Sequence, residues 1–283
     1  MSYHISGDKL NNLLLKELLR RLSVFFDSIG MNYYVVGATA RDIVMTGLYN
    51  QEVIRATTDL DITLSISDWT QFDEISEGIC LLDDFEKDKN RKHRFIYKNV
   101  YTLDIVPFGG VANNDGMIYW QPDEDVAMSV QGYAEAVKNI LEVVIDDEFT
   151  VKVVQLHCIF IQKLNAFADR HLMNSKDAND IAFIIENYLE VNELRVVEEY
   201  YEELYDTEDF DTFIAGSILL GKDVKRLFSD NRITMDFFAE IIRKELAAAE
   251  SSPLISQILD THRLLKYGQV FNALQNILRE MTA

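Results

Sequence analysis

The stretch RATTDLDITL, residues 55–64, carries the alternation from which the fold is read. From Leu60 to Ile66 apolar and polar residues alternate, the period of a strand with one buried face. Alternate side chains of a strand project the same way. Asp59 and Asp61 therefore share one face, and Leu60 and Ile62 the other. Two neighbouring carboxylates repel, and a cation between them keeps both ionised. Mg2+ suits such a pair, with Mn2+ as the variant, because it takes oxygen ligands from one or two carboxylates plus phosphates. A third acid lies in Leu103-Asp104-Ile105, where an Asp in an apolar run is costly unless solvated or liganded. If that strand lies beside 59–65, three carboxylates converge. Such a set can hold two metals about 4 Å apart, the geometry of in-line phosphoryl transfer. The plainer alternatives are a turn role for Asp59 after Thr57-Thr58 and an edge-strand, water-facing position for Asp104.

Upstream, Val35-Val36-Gly37-Ala38-Thr39-Ala40-Arg41-Asp42 reads as strand, glycine turn and helix. Gly37 permits close approach of a phosphate to the backbone, and free N–H groups at a helix start favour an anion. Thr39 offers a hydroxyl donor. An ordinary strand-to-helix turn is the alternative for this segment alone.

Around these motifs the chain changes character near residue 150. Before it, helix is expected over 8–29, 39–46, 69–78 (capped by Asp68) and 132–138. Strands are expected over 33–36, 60–66, 93–97, 101–106, 117–120 and 141–145, with 93–97 and 101–106 joined by a tight turn at Lys98-Asn99. After it, helices are expected near 154–170, 176–189, 191–205, 208–221, 234–249 and 254–281, the last broken near Gly268. The class is α+β: a mixed sheet with helices over 1–150, then a helical bundle over 151–283. Lys163 and Arg170, seven apart, fall on one helix face. Asp177 and Asp180 share a face of the next helix. Inter-helix salt bridges are one reading of these four residues and a functional cluster the other. Arg41 and Asp42 form a candidate local pair, and Arg55 a candidate phosphate contact. His93 and His157 lie in apolar runs and read as packing residues.

The 283 residues carry 27 basic and 47 acidic side chains, a net charge of −20. A grip on long nucleic acid normally needs a basic face, so a nucleotide, a short RNA end or a protein fits better. Solubility alone also accounts for the charge. Leu10 to Phe26, broken by Lys16, Glu17, Arg20 and Arg21, reads as an amphipathic helix and not as a signal peptide. No membrane span is expected, and the cytoplasm is the expected location. Cys80 and Cys158 form no CxxC or zinc spacing and are both expected to be buried free thiols.

Gly37, Asp59-Leu60-Asp61 and Asp104, in that order, resemble the DNA polymerase beta-type nucleotidyltransferase superfamily. The chain is similar, more closely, to bacterial nucleotidyltransferases of the AbiEii toxin-like type. That likeness rests on VGATARDI (36–43), RATTDLDITL (55–64), TLDIVPFGGV (102–111), IYWQPDEDVAMSVQGYAEAV (118–137) and KLNAFADRHLMNSKDANDI (163–181). It implies metal carboxylates at Asp59, Asp61 and Asp104, and phosphate contacts at Gly37, Ala38 and Thr39. A triphosphate-facing lysine falls on Lys163, a second basic position on Arg170, and a following acid on Asp177 or Asp180. Two departures stand out. Ala38 replaces a residue that is commonly Ser or Gly, with Thr39 as the candidate substitute. An inserted loop, Thr46 to Arg55, lengthens the gap to Asp59 and is a candidate acceptor-shaping element.

The resemblance implies transfer of a nucleoside monophosphate from a nucleoside triphosphate to an RNA end or a protein hydroxyl. It also implies a toxin–antitoxin or phage-defence setting with an antitoxin protein as partner. The rival readings are a catalytically silent nucleotide- or partner-binding relative, and a metal-dependent phosphohydrolase built from the same acids.

Overall fold

A computed structural model of the chain describes residues 2–10, 12–49, 58–205 and 210–283. Arg55, Thr57 and most of the Thr46–Arg55 loop lie outside the described residues, as does the start of the helix expected at 208. The chain divides into two compact units, Met1–Gln155 and Leu156–Ala283.

The first unit is built on strands β1 (Ser2–Ile5), β2 (Tyr34–Val36), β3 (Asp59–Ile66), β4 (Phe85–Lys87), β5 (Arg94–Tyr97), β6 (Tyr101–Gly109), β7 (Met117–Tyr119), β8 (Ala127–Ser129), β9 (Ile140–Ile145) and β10 (Phe149–Val154). Eight form one mixed sheet in the order β1-β9-β10-β2-β3-β6-β5-β4, and β7 and β8 pair separately. Its helices are α1 (Leu13–Ser28), α2 (Gly37–Asp42), α3 (Trp69–Cys80) and α4 (Tyr133–Ala136). Helix α1 starts where the Asn12 side chain accepts from the Leu14 and Leu15 amides, and it buries Leu15, Leu18, Leu19, Leu22 and Phe26. That three- and four-residue spacing is the apolar stripe of a helix facing a core. Helix α3 starts at Asp68, whose carboxylate accepts from the Gln71 amide at 3.0 Å. A π-helical turn, Ile43–Leu48, continues α2. Leu60, Ile62, Leu64, Leu103 and Ile105 are buried, so the apolar half of the β3 and β6 pattern forms the core.

The second unit is all helix: α5 (Leu156–Arg170), α6 (Lys176–Val191), α7 (Glu193–Glu199), α8 (Tyr201–Leu204), α9 (Thr212–Leu227), α10 (Arg232–Ala248), α11 (Pro253–Thr261) and α12 (Tyr267–Thr282). Helix α9 lies between α6 and α12. A Cβ on Gly216 would stand 2.5 Å from the Ile185 carbonyl, and one on Gly221 2.9 Å from that of Ile277. Those two glycines let three helix backbones close on one another.

The helix expected over 254–281 is broken near Gly268 as expected, between Thr261 and Tyr267, with Gly268 inside the first turn of α12. Two expectations need correction. The helix expected over 191–205 is two short ones separated at Tyr200. Cys158 is buried, but Cys80 is exposed: the buried side of α3 carries Phe72, Ile75, Ser76 and Ile79, and Cys80 falls off that stripe at the helix end. Among the described residues, no helix is long and apolar enough to cross a membrane.

Candidate active site

Register builds the site. In β3 and β6, which run parallel, Asp61 stands opposite Asp104. In β6 and β5, antiparallel, Asp104 stands opposite Arg94. In β2 and β3, antiparallel, Val36 stands opposite Asp61, and Gly37 follows at once. Directly paired residues of adjacent strands share a face. One row across four strands therefore reads Val36 with its glycine turn, Asp61, Asp104 and Arg94. Asp59, two residues from Asp61, projects from the same face as that row. Asp104 is not on an edge: β6 lies between β3 and β5, and its side chain is only 14% exposed.

Gly37 has two reasons to be glycine. Its φ is +66°, where other residues are strained. A Cβ there would also stand 3.1 Å from Asp61 Cγ and closer still to Oδ2. The turn is thus pressed against the Asp61 carboxylate, and only a bare backbone fits.

Arg94 is the member of the row that sequence reading passed over. Its Nε donates to Asp104 Oδ1 at 2.7 Å and its Nη2 to Oδ2 at 2.6 Å, a two-pronged pair of the strong kind. The Arg94 pKa is raised first by these hydrogen bonds, against the effect of burial, and also by the charges of Asp104, Asp59 and Asp88. Its field therefore reaches two of the three predicted carboxylates. The Tyr101 pKa is pushed up to about 12 by burial first and then by the charges of Asp59 and Asp42.

Thr39, expected to offer its hydroxyl to a phosphate, gives it to the Asp59 carbonyl at 2.9 Å and is buried. That bond ties the helix start to β3 and leaves the Ala38 position without a substitute hydroxyl. Arg41 and Asp42 do pair, with Nε to Oδ1 at 2.8 Å and Nη2 to Oδ1 at 2.6 Å. The His93 ring stacks obliquely on Trp120, centroids 5.2 Å apart. Burial first, against the charge of Asp104, lowers its pKa.

Among the described residues, no three His, Cys, Asp or Glu side chains stand arranged to hold a metal ion. At Asp104 both carboxylate oxygens are turned to a guanidinium. Oxygen donors on a common face still suit a hard divalent cation completed by ligand oxygens. The residues fit the ion through Asp59 and Asp61, with Arg94 as the cation already seated on Asp104.

Lys163, Arg170, Asp177 and Asp180 come together in the second unit. Lys163 Nζ lies 2.6 Å from Asp180 Oδ2 and 3.3 Å from Asp177 Oδ1. Arg170 donates to Asp177 at 2.7 and 2.9 Å. The two carboxylates are almost fully buried, at 2% and 3% exposure. Burial alone would raise the Asp177 pKa, yet Arg170 and Lys163 outweigh it and hold it low. These four residues are an inter-helix ion-pair cluster. A second buried network lies nearby in the same unit. Arg195 makes two bonds to Asp223, at 2.7 and 2.5 Å, and the Tyr188 hydroxyl donates to Asp223 at 2.7 Å.

No family model matches the chain, and no curated protein does. Among the solved structures that resemble it in part are two. One is the solution structure of the antibiotic-resistance factor ANT(2'')-Ia, at 12% identity and TM-score 0.34, over 66% of this chain and 84% of that one. The other is the E. coli MS115-1 CdnC:HORMA-deltaN complex, at 14% identity and TM-score 0.31, over 87% of this chain and 66% of that one. At such scores the likeness carries no argument, and the site is read from its own geometry.

Proposed function

We propose that the chain is a metal-dependent nucleotidyltransferase that moves a nucleoside monophosphate from a nucleoside triphosphate to an RNA end or a protein hydroxyl. The observation that carries this reading is the row of Gly37 turn, Asp61 and Asp104 on adjacent strands, with Asp59 beside it. Asp59 and Asp61 would hold Mg2+ or Mn2+, which supplies charge neutralisation on the phosphates when bound. The backbone at Gly37 and Ala38 would receive the triphosphate beside the Asp61 carboxylate, which packs against the turn. Asp104 would activate the acceptor hydroxyl, either as a second-metal ligand or as the base that takes its proton. The hydroxyl oxygen bonds to the α-phosphorus, the bond to the bridging oxygen breaks, and pyrophosphate leaves. The resemblance also implies nucleotide contacts at Lys163 and Arg170, which in the second unit are paired with Asp177 and Asp180. The resemblance to AbiEii toxin-like proteins adds a toxin–antitoxin setting to the same proposal.

One observation favours a binding-only relative instead: Arg94 occupies both oxygens of Asp104. The product separates the readings. With each nucleoside triphosphate, Mg2+ and cell extract, a transferase releases pyrophosphate in amounts matching the acceptor modified. A phosphohydrolase releases orthophosphate without acceptor, and a silent relative releases neither while still binding the nucleotide.

A further inference from the structure

The Arg94–Asp104 pair bears on how the site takes its metal, and its role there rests on the metal-dependent function proposed above. Arg94 is only 21% exposed and Asp104 14%, so the pair is poorly screened by solvent. Strand register fixes it, because Arg94 and Asp104 are direct partners of β5 and β6. A divalent ion on Asp104 would need the oxygens that the guanidinium holds, and two cations cannot share them without repulsion.

The geometry points to Arg94 as a resident counter-cation that competes with divalent metal for Asp104. The chain without nucleotide then takes one metal, through Asp59 and Asp61. Asp104 becomes available when Arg94 moves to another anion. A triphosphate is such an anion, because the planar guanidinium fork matches phosphate oxygens as it matches a carboxylate. Arg94 is thus a positioning residue: it sets whether the third carboxylate is open, and it links that opening to the substrate's own phosphates.

Mn2+ binding, followed by electron paramagnetic resonance of the free ion without nucleotide, tests this directly. The unsubstituted chain should bind one Mn2+ in a manner lost in Asp61→Asn. Arg94→Met should add a second ion, or tighten binding by about tenfold, the size of one pK unit of charge interaction at a carboxylate. Asp104→Asn in the Arg94→Met background should abolish that gain. Arg94→Lys keeps the charge and loses the fork, so it should give an intermediate gain, and it serves where the Met variant does not fold. Adding a non-hydrolysable triphosphate analogue to the unsubstituted chain should reproduce the gain. Unchanged Mn2+ binding in the folded Arg94 variants, with the Asp61-dependent ion present, overturns the competition and leaves the functional reading standing. Absence of any Asp61-dependent Mn2+ overturns the functional reading and the competition with it.

Discussion

Replacing Gly37 by alanine isolates the contact on which the site is built. The substitution forces an L-residue into a left-handed conformation, φ +66°, at roughly 1–2 kcal/mol. It also places a Cβ 3.1 Å from Asp61 Cγ and 3.2 Å from Asp61 Cβ, and nearer still to Oδ2. Turning the Asp61 side chain off its rotamer adds about 0.5–1.5 kcal/mol. The expected loss is therefore about 1.5–3.5 kcal/mol. An Asp61→Ala background removes the Cγ and Oδ2 contacts but keeps the backbone strain. There, Gly37→Ala should cost only the conformational part, leaving a coupling of about 1 kcal/mol between the two sites. The readout is favourable, because both tryptophans of the chain, Trp69 and Trp120, lie in the first unit with rings 5.3 Å apart. Urea unfolding followed by tryptophan fluorescence reports that unit alone. Costs that add without coupling, or a single variant as stable as the parent, would refute the packing of the turn against Asp61.

Three further outcomes are expected in the second unit, each read by far-UV circular dichroism during urea unfolding. His157 is fully buried, and burial first, against the charge of Asp223, lowers its pKa to about 4. The unfolded chain binds a proton there near pH 6.5 and the folded chain does not, so stability is full above 6.5 and falls as pH drops towards 4. The fall is about 3 kcal/mol, and His157→Gln should flatten it; an unchanged slope in that variant counts against the assignment. Asp223→Ala strands the half-buried Arg195 guanidinium and the buried Tyr188 hydroxyl and should cost about 3 kcal/mol, whereas a loss below about 1 kcal/mol, the size of an exposed pair, would show the network to be loosely held. Lys163→Met removes the cation between Asp177 and Asp180 and should destabilise by about 3 kcal/mol or more. Should stability instead stay intact while the KM for nucleotide rises, Lys163 would serve the ligand and not the fold.

The carboxylates were legible because a strand's period of two is visible in Asp59-Leu60-Asp61-Ile62 and in Leu103-Asp104-Ile105. Which strands lie side by side was not, since register comes from turns and long-range pairing. Arg94 shows the point. A two-residue turn at Lys98-Asn99 would pair Tyr97 with Val100 and set Arg94 opposite Leu103. Lys98 and Asn99 do adopt positive φ, but Val100 joins the loop and Tyr97 pairs with Tyr101. That single-residue shift brings Arg94 to Asp104, and a slip of one residue moves every side chain to the other face. Strands β1, β4, β8 and β10 escaped sequence reading for a related reason. β1, β4 and β8 have three or four residues, too few for a period to show. Phe149–Val154 sits against the helix expected from 154, and its alternation was hidden in that boundary. In the helical unit the stripes were readable and Gly268 announced the break between Thr261 and Tyr267, but the break at Tyr200 carries no glycine or proline to announce it. Thr39 was read for its hydroxyl, which sequence cannot show to be bonded to the Asp59 carbonyl.

The most direct measurement of the central claim is transfer of label from α-labelled nucleoside triphosphates, with Mg2+ and total RNA or cell extract, by the unsubstituted chain and by Asp59→Ala/Asp61→Ala. The account predicts label on a macromolecule with the unsubstituted chain and at least one nucleotide, and none with the double variant. Label that persists in the double variant, or no label with any nucleotide and acceptor source, would contradict it.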